Sequence, residues 1–204
     1  MAGRGRPRQF DRDQALHRAM DLFRERGYDA ASLGELTQAM GINPPSLYAA
    51  FGCKEALFRE AVDLYLATVG VHTVRALQEP ATAREAIDAM LRDNVRAFTA
   101  TQPAKGCLVV LGAPHRTAEN GAVFDELSAL RERMQKRIRD RLKRGIAEGD
   151  VPAGADVAAV AAYYATVLNG LSLQVRDGAP RKRLMSVVDC AMASWECLVG
   201  QGGA

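Results

Sequence analysis

Residues 32–58, SLGELTQAMGINPPSLYAAFGCKEALF, restrict the fold more than any other part of the chain. Ser32 and Glu35 form a capping box ahead of Leu33, Leu36 and Met40, which recur at helical spacing. Gly41 is the natural stop, because it accepts a positive φ without a Cβ clash. Asn43-Pro44 restarts the chain: Asn caps, and Pro is tolerated at the first helical position, where its missing N–H had no partner. The segment 44–51 is too short to be stable alone and needs neighbours to hold it. Its outer face is small and polar. A short helix clamped by two others is what a helix-turn-helix presents to a major groove.

The run 41–58, with Gly41, Asn43, Leu47, Tyr48, Phe51, Lys54, Glu55, Leu57 and Phe58 in place, resembles the DNA-binding signature of TetR-type transcriptional regulators. The signature reads roughly G-hydrophobic-S/N-x-x-x-L-Y-x-x-F-x-x-K-E-x-L-F, and the match is gap-free. The chain departs from it at Pro44, Ala49 and Ala50, where many members carry Lys or an aromatic residue. The resemblance implies an all-α fold of about nine helices. An N-terminal three-helix helix-turn-helix domain (10–53) would be followed by a helical ligand-binding and dimerisation domain (54–204).

Composition excludes more than it identifies. Of 204 residues, 48% are hydrophobic, so a sizeable core is available; few aromatics and many alanines favour helix. No apolar run is long enough to cross a bilayer, and the N-terminus lacks the apolar stretch of a secretion signal, so a cytoplasmic setting is expected. Net charge is only +3, but Arg4, Arg6 and Arg8 precede the first acid, Asp11. The cysteines Cys53, Cys107, Cys190 and Cys197 form no C-x-x-C pair, and His17, His72 and His115 are scattered. Neither a zinc site nor a structural disulfide is expected. Paired catalytic carboxylates, phosphate-cradling glycine loops and nucleophile elbows are all missing, so neither an enzyme nor a cofactor is expected.

Residues 1–9 read as a mobile basic arm. Arg4-Gly5-Arg6-Pro7 resembles the core of an AT-hook, which inserts Arg4 and Arg6 into a narrow minor groove; the alternative is a solvated tail attracting phosphates non-specifically. Asp11 caps a first helix that Gly27 ends, with Phe10, Phe23, Leu36, Leu47 and Phe51 as shared core. A fourth helix begins near Lys54. Its double-width stripe (Leu57, Ala61, Leu64, Thr68, flanked by Phe58, Val62, Tyr65) suits burial between two bodies.

Beyond Pro80, a capping box at Thr82 and Glu85 starts another helix, which Gln102-Pro103 stops. Residues 106–113 suit either a short helix or a strand by period alone; the setting and the resemblance favour helix. A long helix follows from about 122 to 146, with Asn120 as its cap and Phe124, Leu127, Leu130, Met134, Ile138 and Leu142 as its stripe. Its outside, from Arg131 to Arg144, reads either as a second DNA surface or as a solvated face. Two final helices, about 156–175 and 181–199, flank the short turn Asp177-Gly178-Ala179-Pro180 and should be antiparallel.

Carried onto this chain, the family pattern assigns phosphate contacts to Tyr48 and Lys54 and places Ser32 and Thr37 where the second helix meets the DNA backbone. Thr37 suits an internal role equally well, and Tyr48 alternatively a half-buried core position. Asn43, Pro44, Pro45 and Ser46 stand at the end of the recognition helix that meets base edges; Asn43 and Ser46 offer hydrogen bonds, while Pro45 and Ala49 suit thymine methyls. The resemblance further implies a homodimer through the last two helices, an inverted-repeat operator in double-stranded DNA, and repression relieved by an unknown small-molecule effector. An apolar lining is expected from Phe98, Cys107, Leu111, Tyr163, Tyr164, Leu168 and Trp195. Cys107 after Lys105-Gly106 reads either as a buried apolar residue or as a sensor of oxidants or electrophiles. An activator, or a regulator answering to a protein partner or to cysteine oxidation, is the competing reading.

Overall fold

A computed structural model describes residues 10–101 and 104–200. The expected arm with Arg4 and Arg6, and the expected stop at Gln102-Pro103, lie outside the described residues. All regular structure among the described residues is helical: α1 (Arg12–Ala30), α2 (Leu33–Met40), α3 (Pro44–Phe51), α4 (Lys54–Thr68), α5 (Val71–Gln78), α6 (Ala83–Phe98), α7 (Leu108–Leu111), α8 (Gly121–Glu148), α9 (Val157–Arg176), α10 (Arg181–Ala193) and α11 (Trp195–Gly200). The expected helices are all present, and two of them are interrupted. The fourth bends where the Gly70 N–H reaches back five residues to Tyr65 O, and α5 restarts beyond the bend. The last breaks at Ser194, which separates α10 from α11.

The helix ends follow from side-chain chemistry. Asp11 Oδ1 accepts from the N–H groups of Asp13 and Gln14, Ser32 and Thr82 make complete capping boxes with Glu35 and Glu85, and Asn43 Oδ1 accepts from Ser46 N. Gly41, at φ 69°, closes α2 as the left-handed cap the sequence requires. Gly27 (φ 77°, ψ 176°) stops the regular part of α1, and one more helical turn follows it.

Two apolar clusters fill the interior. The first joins α1–α4 through Phe23, Leu36, Leu47, Phe51 and Phe58, then continues into α7 (Leu108) and the start of α8 (Leu127). The second gathers α6, the far half of α8, α9 and α10 around Ile87, Leu91, Ile138, Tyr164 and Leu184. The helix α4 buries Leu57, Phe58, Ala61, Val62 and Tyr65, the double-width face its sequence suggests. Thr68 departs from that stripe: it is exposed and turns its hydroxyl onto Leu64 O.

One arginine of the basic stretch on α8 is not on the surface at all. Arg141 is 3% exposed and donates to the carbonyls of Ala81 (3.1 Å) and Pro80 (3.5 Å), holding the turn ahead of α6. Neither sequence reading of that stretch, second DNA surface or solvated face, describes this residue.

Candidate nucleic-acid interface and effector cavity

The eight-residue α3 is held from inside. Leu47 and Phe51 are buried against α1, α2 and α4. The guanidinium of Arg12 lies 4.3 Å from the Phe51 ring centroid and donates to both carboxylate oxygens of Glu60 at 2.7 Å, which ties α1 to α4 across the end of α3. A helix this short has no stability of its own, so these contacts fix its position.

What the clamp leaves outside is the face expected to meet DNA. Asn43, Pro44, Pro45 and Ala49 are exposed, Ser46 is half-buried, and Tyr48 is 47% exposed. Tyr48 therefore takes the surface position rather than the core one. The Asn43 carbonyl oxygen is committed to the cap, and the exposed amide nitrogen makes no hydrogen bond among the described residues. The sequence missed Arg18. Its side chain is exposed, and a Cβ on Gly41 would stand 3.2 Å from its guanidinium, so a cation covers the turn between α2 and α3.

Three expected contacts need restating. Thr37 is corrected: it is 8% exposed, and its hydroxyl donates to Leu33 O (2.9 Å) and Gly34 O (3.0 Å), so it takes the internal of its two readings. Ser32 is exposed, but its hydroxyl and backbone N–H both donate to Glu35 Oε2, which holds that carboxyl below the usual carboxylate range. Lys54 opens α4 with its ammonium 4.5 Å from the Tyr28 ring centroid, and burial holds it below the ordinary lysine range against the opposing pull of Asp29 and Glu35. Lys54 thus stands at a helix N-terminus while partly sheltered by an aromatic face.

The same Tyr28 belongs to a second set of contacts, between the helix-turn-helix and the rest of the chain. Its ring meets Phe58 edge-on at 5.1 Å, and its backbone N–H donates to Gly112 O. Beside it, Asp29 accepts from the side-chain amide of Asn120 at 2.8 Å. Asn120 stands at the N-cap position of α8, as the sequence suggests, but its side chain makes no cap hydrogen bond: it is 1% exposed and cross-links the 115–120 loop to α1, with Thr117 N on its oxygen and His115 O on its nitrogen. Lys105 adds an ion pair to Asp21 at 3.2 Å, and Arg24 donates to Lys105 O.

A cavity of about 310 Å³ opens between the α4–α5 bend, α6, α7, α8 and α9. That is the lower end of the size range of small-molecule sites. Phe98, Cys107 and Leu168 line it, three of the seven residues expected to. The other four are corrected. Tyr164 is fully buried, donates to Ala191 O and packs edge-on against Tyr163, and burial pushes its phenol far above the ordinary range. Tyr163 packs against the second apolar cluster. Trp195 belongs to that cluster too and borders a surface groove with Thr82 and Pro152, whereas Leu111 faces the hollow between the α1 kink and α7.

The walls the sequence did not reveal come from the bend (Leu66, Val71, Val74) and from α8 (Leu130, Met134), read from sequence only as part of that helix's apolar stripe. Two polar pairs stand in the cavity wall. Thr73 donates to Asn94 Oδ1 and Asn94 donates to Met90 O, so this buried pair is satisfied within the wall. Opposite, the buried Tyr65 phenol meets the Cys107 sulfur, and burial followed by that thiol raises it well above its usual range. Ser172 Oγ accepts from Cys107 N at 2.8 Å, fixing the backbone that carries the thiol.

No group of His, Cys, Asp and Glu among the described residues is arranged to hold a metal, and no described helix is long and apolar enough to cross a membrane. Residues 15–61 match the family model for bacterial regulatory proteins of the tetR family, and residues 81–188 match the tetracyclin repressor-like C-terminal domain. The chain is 30% identical over 197 residues to the HTH-type transcriptional repressor ComR of Escherichia coli (strain K12), covering 96% of this chain and 94% of that one. It is 52% identical to a cysteine-substituted form of the TetR family regulator CifR solved with 26-base-pair double-strand operator DNA. That likeness covers 93% of this chain and all of that one (100%), with a TM-score of 0.90. A TetR regulator from Rhodococcus sp. RHA1 is 40% identical over 88% of this chain and 96% of that one, at a TM-score of 0.60. The exposed face of α3, the clamp behind it and these matches over both halves make one conclusion: this chain belongs to the TetR family of DNA-binding transcriptional regulators.

Proposed function

We propose that the protein is a homodimeric repressor of an inverted-repeat operator, released from DNA when a small molecule enters the cavity beside the α4–α5 bend. The observation that carries this reading is the position of α4. Its first residue, Lys54, borders the DNA-facing surface, and Tyr65 and Leu66 near its other end line the cavity. A ligand that fits only one shape of the bend changes the angle of α4, and the spacing of two α3 helices with it. It shifts that equilibrium only by its differential affinity for the two shapes. The name of ComR and the operator complex of CifR support repression and operator binding.

We retain the division into an arm (1–9), a DNA-reading head (10–53) and a regulatory body (54–204). Asn43, Pro44, Pro45, Ser46 and Ala49 are the residues for base edges, and Tyr48, Lys54, Ser32 and the added Arg18 are those for phosphates. Arg4 and Arg6 belong to the arm. Pairing through α9 and α10 is supported by their outer stripes, where Leu173 (41%) and Val187 (42%) are exposed beside Thr166, Gly170 and Cys190. A stripe of small and apolar residues suits close helix packing against a second copy. Capture of genomic fragments by the purified protein, followed by a metabolite screen for release, tests the whole reading. Enrichment of a palindrome and release by at least one compound is expected; capture without sequence preference contradicts it.

A second reading rests on Cys107. Its thiol is partly exposed and borders the cavity against Tyr65, so an oxidant or electrophile that enters meets a sulfur in a wall whose shape matters to α4. If Cys107→Ser still releases DNA on treatment with an electrophile, this second reading fails.

A further inference from the structure

The cavity is mostly apolar and carries its positive charge on one side, along α8. Arg131, Arg133 and Arg137 lie among its lining residues, and no carboxylate does. Arg131 is the informative one. It is half-buried against α7, where Nη1 donates to Val109 O at 2.8 Å and the guanidinium stands 5.7 Å from the Phe124 ring centroid. That single hydrogen bond uses one of the five N–H donors a guanidinium carries.

Among the described residues Arg131 makes no ion pair; Glu132, next to it on α8, attracts it without reaching it. Burial accordingly holds Arg131 below the ordinary arginine range, with Cys107 and Glu132 opposing. Arg133 and Arg137, more exposed, likewise form no ion pair among the described residues. By contrast, Lys136 and Arg144 on the same helix are paired with Asp140 and Glu148. Arg139 and Lys143 of α8 also make no ion pair among the described residues, so what sets Arg131 apart is its place, half-buried in the wall of the cavity. A partly desolvated, unpaired cation is costly, and an anion placed beside it recovers that cost. A guanidinium fork matches a planar carboxylate in particular.

We propose that the effector is an amphipathic monoanion, an apolar body ending in a carboxylate. Its apolar part fills the space between Phe98, Val110 and Leu168 while its charge meets Arg131, with Arg133 and Arg137 at the mouth. This rests on the reading of the cavity as the effector site, and it narrows that reading from a small molecule to an apolar acid.

The test compares matched acids and alcohols on the full-length protein by isothermal titration calorimetry: octanoate with octanol, 4-phenylbutyrate with 4-phenylbutanol, and 2-naphthoate with 2-naphthalenemethanol. At least one acid is expected to bind about tenfold or more tightly than its alcohol, the size of effect of one charge-assisted hydrogen bond. Arg131→Gln is expected to remove that difference, and Arg131→Lys to retain part of it. Should Arg131→Gln fail to fold, the wild-type comparison and the double substitution Arg133→Gln with Arg137→Gln carry the test, the latter narrowing the difference. Alcohols binding as well as acids, no binding by any pair, or an acid preference untouched by Arg131→Gln would overturn the proposal. Release of operator DNA by the alcohols in a band-shift assay would leave the effector reading standing while the anion is discarded, so the two failures are distinguishable.

Discussion

The backbone N–H of Tyr28 donates to the carbonyl of Gly112 across 2.6 Å, so the helix-turn-helix touches the regulatory half through α7 as well as through α4. The contact depends on Gly27. With φ 77° and ψ 176° it occupies a region almost closed to other residues, and a Cβ there would stand 3.1 Å from that same Gly112 oxygen.

Gly27→Ala is therefore expected to destabilise the protein by about 1–3 kcal/mol, the usual cost of such backbone strain in a non-glycine residue. A urea melt followed by circular dichroism measures it. The alanine must either hold the strained conformation or give up the Tyr28–Gly112 bond, so a wild-type midpoint would show that neither matters.

Tyr48→Ala and Lys54→Ala should weaken binding to operator and to unrelated duplex by the same factor, about tenfold each, because phosphate contacts carry no sequence information. Lys54→Ala should also reduce the slope of log affinity against log salt by about 0.9. Band-shift titrations at several salt concentrations decide this. Unchanged affinity at fixed salt, or a loss confined to the operator, contradicts the assignment.

Arg141→Ala should cost about 3 kcal/mol of folding stability, since the residue is buried and its partners are the carbonyls ahead of α6 together with Asp150 at 3.9 Å. Truncation strands those acceptors. Arg141→Met keeps the apolar stem and should lose less. Equal, small losses in both variants on chemical denaturation would mean that the hydrogen bonds contribute nothing.

The readable parts of this fold were those governed by local rules. The capping boxes at Ser32 and Thr82, the Gly41 stop and the Asn43-Pro44 restart each depend on residues within four positions of one another, and each appears in the structure as expected. The exposed face of α3 was legible too, because Leu47 and Phe51 define its buried side. Harder to read were features assembled across the chain. Thr37 suits the DNA backbone and the interior equally well until its burial in the assembled fold decides for the interior. Asn120 holds the cap position of α8, yet its side chain turns to Asp29, ninety-one positions earlier, instead of capping. Leu130 and Met134 obey the α8 stripe whether they touch core or cavity, so periodicity cannot separate the two. Tyr163, Tyr164 and Trp195 are large and aromatic, which suits a pocket and a core alike; in the fold their rings meet one another.

Two copies of this chain are expected to present two α3 helices to one duplex. The direct measurement is light-scattering mass determination of the free protein and of its complex with a palindromic operator duplex, repeated with a single half-site. The expected result is a dimer in solution, two chains per palindrome with recognition helices about one helical turn apart, roughly 34–36 Å, and much weaker binding to the half-site. A monomer that binds half-site and palindrome with equal affinity per site would contradict it.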